Sequence, residues 1–131
     1  MNELLKYLIR HFSFLYYDYG ARFVDSQTNG GDAFIELEMQ NMRLRFVRDR
    51  DQLFLFFRST SSHSQEWFSL DLVRQFIRQK PSNRTLLDPR LVAFVRENLR
   101  EILKAFSPAN REATERILDQ YARERAKKMF G

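Results

Sequence analysis

Residues 21–58 alternate apolar and polar side chains, and this alternation constrains the fold more than any other feature of the sequence. A period of two is typical of β-strands, whose side chains point to opposite faces of a sheet. The segments NGGD, residues 29–32, and RDRDQ, residues 48–52, supply turn residues between the extended runs. The pattern predicts about four antiparallel strands in a meander, over residues 21–26, 33–40, 42–48 and 53–58.

The middle pair of strands also predicts its own register. A two-residue turn at residues 40–41 would place every apolar residue of one strand opposite an apolar residue of the next. It would also pair Glu36 with Arg45 and Glu38 with Arg43. We expect these pairs on the solvent face, worth about 0.2–1 kcal/mol each, so that the arginines serve the sheet rather than nucleic acid.

Helical periodicity flanks the predicted sheet. It predicts a first helix over residues 3–19, whose apolar arc includes Ile9 and Tyr16 and which Gly20 ends. Three later helices are predicted to begin at about Leu70, at Pro89 after the N-cap Asp88, and at Ser107–Pro108. The order helix, antiparallel meander, three helices predicts the α+β class, and 131 residues suit one domain spanning residues 1–131.

The strand at residues 53–58 differs from its neighbours because LFLFF is apolar on both faces. One face must therefore pack in the core. We expect a helix to cover the other face, since four helices are predicted.

The composition excludes several classes of protein. A hydrophobic content of 44% with 4 Gly and 3 Pro is typical of a packed domain rather than a disordered chain. No apolar run is long enough to cross a membrane, and MNELLKYLIRHF differs from a secretory leader because charges interrupt its apolar pattern. Together with the absence of cysteine, these features predict a cytoplasmic protein that has no disulfide and does not bind membranes.

Residues that could perform chemistry do not form a recognisable catalytic pattern. Neither His11 nor His63 belongs to a spacing that binds metal, and no glycine-rich phosphate-binding loop occurs. Glu36 and Glu38 are expected to stay ionised beside their arginines, which is the wrong state for a general acid. We therefore expect no enzyme activity, no metal and no cofactor.

The net charge of +5 comes entirely from the second half of the chain, because residues 1–58 hold eight basic and eight acidic residues. The excess gathers in two clusters. The second cluster, near the C-terminus, would complement the dipole of its helix. The first is a candidate anion-binding surface for nucleic acid or an acidic partner, or else a solvated helix face. The first cluster is Arg74, Arg78, Lys80, Arg84 and Arg90, and the second is Arg123, Arg125, Lys127 and Lys128.

The first helix has more aromatic surface than a one-sided surface helix needs. Tyr7, His11 and Phe14 recur at i, i+4 and i+7 beside its main apolar arc. Either this second stripe is sandwiched between the sheet and the later helices, or it is a surface that binds another protein. We take Tyr7, His11 and Phe14 as the candidate partner-binding residues.

The layout of the chain resembles known proteins. A short amphipathic helix, a sheet ending in LRFVRDRDQLFLFF, then EWFSLDLVRQFI and C-terminal helices resemble uncharacterised small bacterial α+β domains over residues 1–106. Toxin-neutralising immunity proteins are similar in layout. This resemblance implies a domain that binds and occludes a partner, and it assigns no functional residues because it includes no diagnostic motif.

These observations together predict a non-enzymatic protein-binding domain, such as an immunity or adaptor protein. Its partner would be another protein, with a second copy of the chain as a variant of that prediction. The alternative is a nucleic-acid or acidic-partner binder that uses the basic cluster of residues 74–90.

Overall fold

In the computed structural model, the described residues form a five-stranded antiparallel sheet and four helices. The structure describes residues 2–62, 65–82 and 86–130, without the side chains of Met129 and Phe130. The α+β class and the order of helix, meander and C-terminal helices are confirmed. In chain order the elements are α1 (Asn2–Tyr19), β1 (Arg22–Asn29), β2 (Asp32–Met39), β3 (Met42–Asp49), β4 (Gln52–Ser59), β5 (Phe68–Ser69), α2 (Leu70–Arg78), α3 (Pro89–Ala105) and α4 (Arg111–Phe130).

The sheet is a meander with strand order β1-β2-β3-β4-β5. The predicted turn at residues 40–41 is confirmed, and so is the register it implies: Glu36 lies opposite Arg45 and Glu38 opposite Arg43. This register could be predicted because only one alignment pairs like with like on both faces.

Two features of the sheet are absent from the sequence prediction. The strand β5 pairs with β4, with Phe68 opposite Phe57, but two residues are too few to show alternation. At the other edge, β1 is longer than predicted and its pairing with β2 shifts register between Phe23 and Asp25, which marks a bulge at Val24.

Local signals placed most helix ends correctly. Gly20, with a left-handed φ of 68°, ends α1, and the Asp88 side chain accepts a hydrogen bond from the backbone N–H of Leu91 at 2.9 Å at the start of α3. The start of α4 was predicted wrongly. The Ser107 hydroxyl donates to the Lys104 carbonyl and so completes the end of α3, and α4 begins four residues later.

The core lies between the helices and one face of the sheet. The Phe12 ring of α1 meets the Phe46 ring edge-on at 4.8 Å, and the Phe106 ring at the end of α3 stacks on Phe57 at 6.3 Å. Ser59, also buried, donates its hydroxyl to the Phe106 carbonyl at 2.9 Å. The helices therefore cover the face that carries Leu44, Phe46, Leu55 and Phe57.

The opposite face of the sheet corrects the expectation of a second covering helix. Among the described residues, its half-buried aromatic rings lie outside the hydrophobic core. Instead, the Arg45 guanidinium lies between the rings of Phe34 and Trp67, at 4.5 and 4.8 Å from their centres. Cation–π contacts and flat arginine side chains thus shield this face from water.

The ion pairs of these arginines are less exposed than expected. Glu36 is only 3% exposed, because Arg45 at 3.1 Å and Arg43 at 4.0 Å reach across it. The expectation of a solvent-exposed pair is therefore wrong for Glu36. The interpretation of the arginines as partners of sheet carboxylates is consistent with these contacts.

A candidate protein-binding groove

The central line of α1 is buried as its periodicity predicts. Leu4, Leu8, Phe12 and Leu15 all belong to the core. On either side of this line α1 has an apolar flank, and the two flanks differ in their exposure to solvent. We call Tyr7, His11 and Phe14 the covered flank, and Ile9, Tyr16 and Tyr17 the open flank.

The covered flank is the stripe that the sequence offered for partner binding. Phe14 is only 7% exposed, with the Arg96 guanidinium of α3 at 5.4 Å from its ring centre. Tyr7 is half-buried and packs on the core, with its ring 4.5 Å from that of His11. Phe14 is therefore buried, whereas the partner-binding alternative expected it on the surface. The reason is that α3 packs against this side of α1.

The environment of Tyr7 also affects its ionisation. Burial raises the pKa of Tyr7 above its ordinary value of 10.0, and the negative charge of Asp88 at the start of α3 raises it further. The phenol therefore stays neutral at physiological pH, as expected for a side chain that belongs to the packing between α1 and α3.

The open flank carries the exposed apolar surface instead. Ile9, Tyr16 and Tyr17 are 64%, 66% and 79% exposed, and Phe23 of the neighbouring strand β1 is 62% exposed. The sequence had placed Ile9 and Tyr16 on the buried arc, and the structure shows this to be wrong. An isolated exposed apolar residue is ordinary, but four large ones around one depression are not.

These four residues surround a groove between α1 and β1, which we call the α1–β1 groove. Its volume is about 410 Å³. The apolar floor and walls include Leu8, Phe12, Leu15, Ala21 and Leu37, and the polar residues at its border are Ser13 and Arg22. The groove is thus an apolar surface that opens to water along α1.

Basic residues lie beside the groove. Lys6 and Arg10 are exposed on the side of α1 next to the open flank, and Arg22 borders the groove on β1. Arg22 pairs with Glu38 of β2, which also accepts a hydrogen bond from Arg43 at 3.2 Å. Hydrogen bonds from Arg22 and then from Arg43 lower the pKa of Glu38, so this carboxylate is held ionised and fixes Arg22.

The first basic cluster is partly engaged inside the protein. Arg74 donates to the Ser82 hydroxyl at 3.4 Å, and the Arg78 guanidinium lies 5.0 Å from the centre of the Phe94 ring. Lys80 and Arg90 are exposed, and Arg84 lies outside the described residues. The cations of this cluster that face water are Arg78, Lys80 and Arg90.

The second basic cluster supplies an anchor for α4. Arg125 forms an ion pair with the fully buried Asp71 of α2 and donates to the Gln75 side chain at 3.0 Å and to the Ser82 carbonyl. Because Arg74 also bonds Ser82, the two clusters meet at this residue. Arg125 was predicted to complement the helix dipole, and its contacts give it a structural role in addition.

Among the described residues, no group of three or more His, Asp or Glu side chains could hold a metal ion. No helix in the described part of the chain is long and apolar enough to cross a membrane. The His11 ring lies beside the Tyr7 ring, tilted by 45° to it, and His63 lies outside the described residues.

Comparisons of the chain with protein-family models, with curated proteins and with solved structures find no match. The resemblance in layout to immunity proteins therefore stays a prediction. The fold and the α1–β1 groove are the basis for any functional argument.

Phe23 is the groove residue that sequence reasoning did not consider. Its neighbours along β1 are mostly polar, and the pattern of β1 gives no sign that Phe23 stays in water. The one available signal was the large number of apolar residues around α1, which exceeds what a single packing face can bury.

Proposed function

We propose that the protein is a non-enzymatic protein-binding domain whose partner docks on the α1–β1 groove. The observation that carries this proposal is the cluster of Ile9, Tyr16, Tyr17 and Phe23, all more than 60% exposed around one apolar groove. Folded proteins rarely keep so much contiguous apolar surface in water unless it serves binding.

The chemistry of these side chains favours a protein partner. Tyrosines combine a large apolar ring with a hydroxyl that stays hydrated until binding, and they dominate the energetic centres of protein interfaces. Burying one such ring contributes about 1.5–3 kcal/mol. Three aromatic rings and an isoleucine could therefore supply the central contacts of an interface.

The mode of action that fits is occlusion. A domain without catalytic groups, which covers a surface of its partner, would act as an immunity or adaptor protein does. The layout resemblance implies the same mode, and the exposed side chains around the groove offer a surface for it.

The test compares three forms of the full chain in affinity capture from a lysate of the source. They are wild type, the double variant Ile9→Ser with Tyr16→Ser, and the control Ile117→Ser, which changes an exposed apolar residue on α4. We expect a protein captured by wild type and by the control but lost with the double variant, at both low and high salt. Capture that is equal for all three forms would overturn the proposal.

The alternative is nucleic-acid or acidic-partner binding through the basic cluster of residues 74–90. The observation in its favour is the exposure of Arg78, Lys80 and Arg90. Counterion release makes binding to phosphates fall steeply with salt, whereas an apolar interface is nearly indifferent to it. Retention on heparin that is lost when Arg78 and Lys80 are changed to Glu would favour this alternative.

A further inference from the structure

The α1–β1 groove lies where the helix layer of the fold is incomplete. On the core side of the sheet, α1 packs mainly over β2 and β3, and α3 packs beside α1 on its other flank. Among the described elements, no helix packs extensively over β1, and Phe23 is exposed on the helix side of the sheet. The groove therefore has the position that one more helix would occupy in this layer.

We propose that the α1–β1 groove binds an amphipathic helix of a partner protein, one that carries acidic residues beside its apolar stripe. This inference rests on the proposed function, because it names the kind of segment that docks in the same groove. Three features carry it: the lining of the groove, the edge of the sheet and the charges around the open flank.

The lining favours a helix over a strand. A strand needs backbone partners, whereas a helix satisfies its own backbone groups and can lay an apolar face into an apolar groove. The groove offers apolar side chains, with Ser13 and Arg22 as its polar members. Beside the exposed ring of Phe23, the bulge at Val24 also breaks the regular edge of β1 that an added strand would need.

The dimensions of the groove suit a short helix. Groove-lining residues of α1 run from Leu5 to Tyr17, which at 1.5 Å per residue is about 18 Å, or roughly three turns. A volume of about 410 Å³ is also in the range of small-molecule pockets, roughly 300–1,000 Å³. However, walls that are more than 60% exposed would leave much of a small ligand in water, whereas a helix would cover them.

The charges select an acidic helix. Two exposed cations, Lys6 and Arg10, lie on the face of α1 beside Ile9, ahead of the break in helical geometry at Phe12. On a helical projection, the exposed Glu3 lies one position beyond Arg10. Arg22, which is paired with Glu38, lies on the strand side. Complementary charge around an apolar contact raises the association rate and selects the partner.

The same charges argue against a second copy as the occupant. The chain has a net charge of +5, and none of its four helices contains more acidic than basic residues. Two copies that met through this groove would also bring their Lys6, Arg10 and Arg22 residues together. Charge complementarity therefore favours an acidic segment from another protein.

The experiment uses three synthetic 14-residue peptides of matched apolar composition. The first has a helical apolar stripe flanked by Glu, the second has the same stripe flanked by Lys, and the third has the residues of the first rearranged to alternate as in a strand. Binding to the full-length protein is measured by fluorescence anisotropy at two salt concentrations, and circular dichroism reports the helicity of the bound peptide.

We expect the Glu-flanked peptide to bind at least about tenfold more tightly than the other two and to become helical when bound. The double variant Ile9→Ser with Tyr16→Ser should lose this binding, and the control Ile117→Ser should keep it. Changing Lys6 and Arg10 to Glu should reverse the preference toward the Lys-flanked peptide, which a purely apolar groove would not show.

Other outcomes overturn the inference. These are equal binding of the first two peptides, tightest binding of the strand-patterned peptide, no binding of any peptide, or a dimer in sedimentation that the double variant abolishes. If the lysate partner is still lost with the double variant in these cases, the groove binds a different segment and the proposed function stands. If neither capture nor peptide binding depends on Ile9 and Tyr16, both proposals fail.

Discussion

The two flanks of α1 are similar in composition and opposite in environment. The covered flank, Tyr7, His11 and Phe14, packs beside α3, while the open flank, Ile9, Tyr16 and Tyr17, faces water beside β1. Each flank carries two large rings of Tyr or Phe, so aromatic content does not explain the difference. The position of one later helix explains the difference, because α3 lies on one side of α1 and the other side stays open.

This difference teaches how a helix can be both core and surface. The central line of α1 provides its attachment to the sheet. One flank then extends the core, and the other becomes available for binding without changing the fold.

The largest expected effect is on the covered flank. Replacing Phe14 by Ala would leave a cavity between α1 and α3 and remove the contact with Arg96, so we expect a loss of about 3–5 kcal/mol in the free energy of unfolding. Urea denaturation measures it. A loss below about 1 kcal/mol would mean that the covered flank is not core and would remove the difference between the flanks.

A smaller effect is expected at Glu38 of β2, which pairs with Arg22 at the border of the groove. Because the pKa of Glu38 is lowered in the folded state, its contribution is fully present above its ordinary pKa of 4.5 and is lost as pH falls through the folded pKa. Glu38→Gln should therefore cost about 0.2–1 kcal/mol at pH 7 and nothing at pH 2. Denaturation curves of both forms at the two pH values check this. A cost that does not depend on pH would contradict it.

Tyr7 gives the covered flank a response to alkaline pH. Since the folded pKa of Tyr7 is raised above 10.0, its contribution to stability is fully present below pH 10 and is lost as pH rises through the folded pKa. We expect Tyr7→Phe to lose less stability than wild type when the pH is raised from 9 to 11. Thermal denaturation measures the difference. Equal losses of stability in the two forms would mean that packing beside α3 does not raise the pKa of Tyr7.

The smallest effect is expected on the open flank. Ile9→Ala and Tyr17→Ala remove side chains that already face water, so each should change the free energy of unfolding by no more than about 0.5 kcal/mol. Urea denaturation of these two variants and of Phe14→Ala under the same conditions compares the two flanks directly. A loss above about 2 kcal/mol from Ile9→Ala would show that the open flank belongs to the core.

Features of the fold that depend on neighbouring residues could be predicted from the sequence. The hairpin of β2 and β3 has one register that pairs all its residues, and Gly20 and Asp88 mark helix ends through contacts within a few residues. Each of these signals is complete within a short segment, so no knowledge of the remaining chain is needed.

Features that depend on packing between segments far apart in the sequence could not be predicted. The choice between the two flanks of α1 was set by α3, which lies more than 70 residues further along the chain. The burial of Glu36 depends on Arg45, which contacts Phe34 of β2 and Trp67 of the segment just before β5. The sequence therefore could not show that Phe14 is buried while Ile9 and Tyr16 are exposed.

The ion pair between Asp71 and Arg125 determines how α4 leaves the fold. If α4 detached, the fully buried carboxylate of Asp71 would lose its counter-charge, which costs about 3–5 kcal/mol. We therefore expect the helix to open together with the first turn of α2 in one cooperative step, although it has few buried apolar side chains of its own. In hydrogen exchange, the backbone amides of α4 near Arg125 and those of α2 near Asp71 would exchange at a common rate, as one unit of local unfolding.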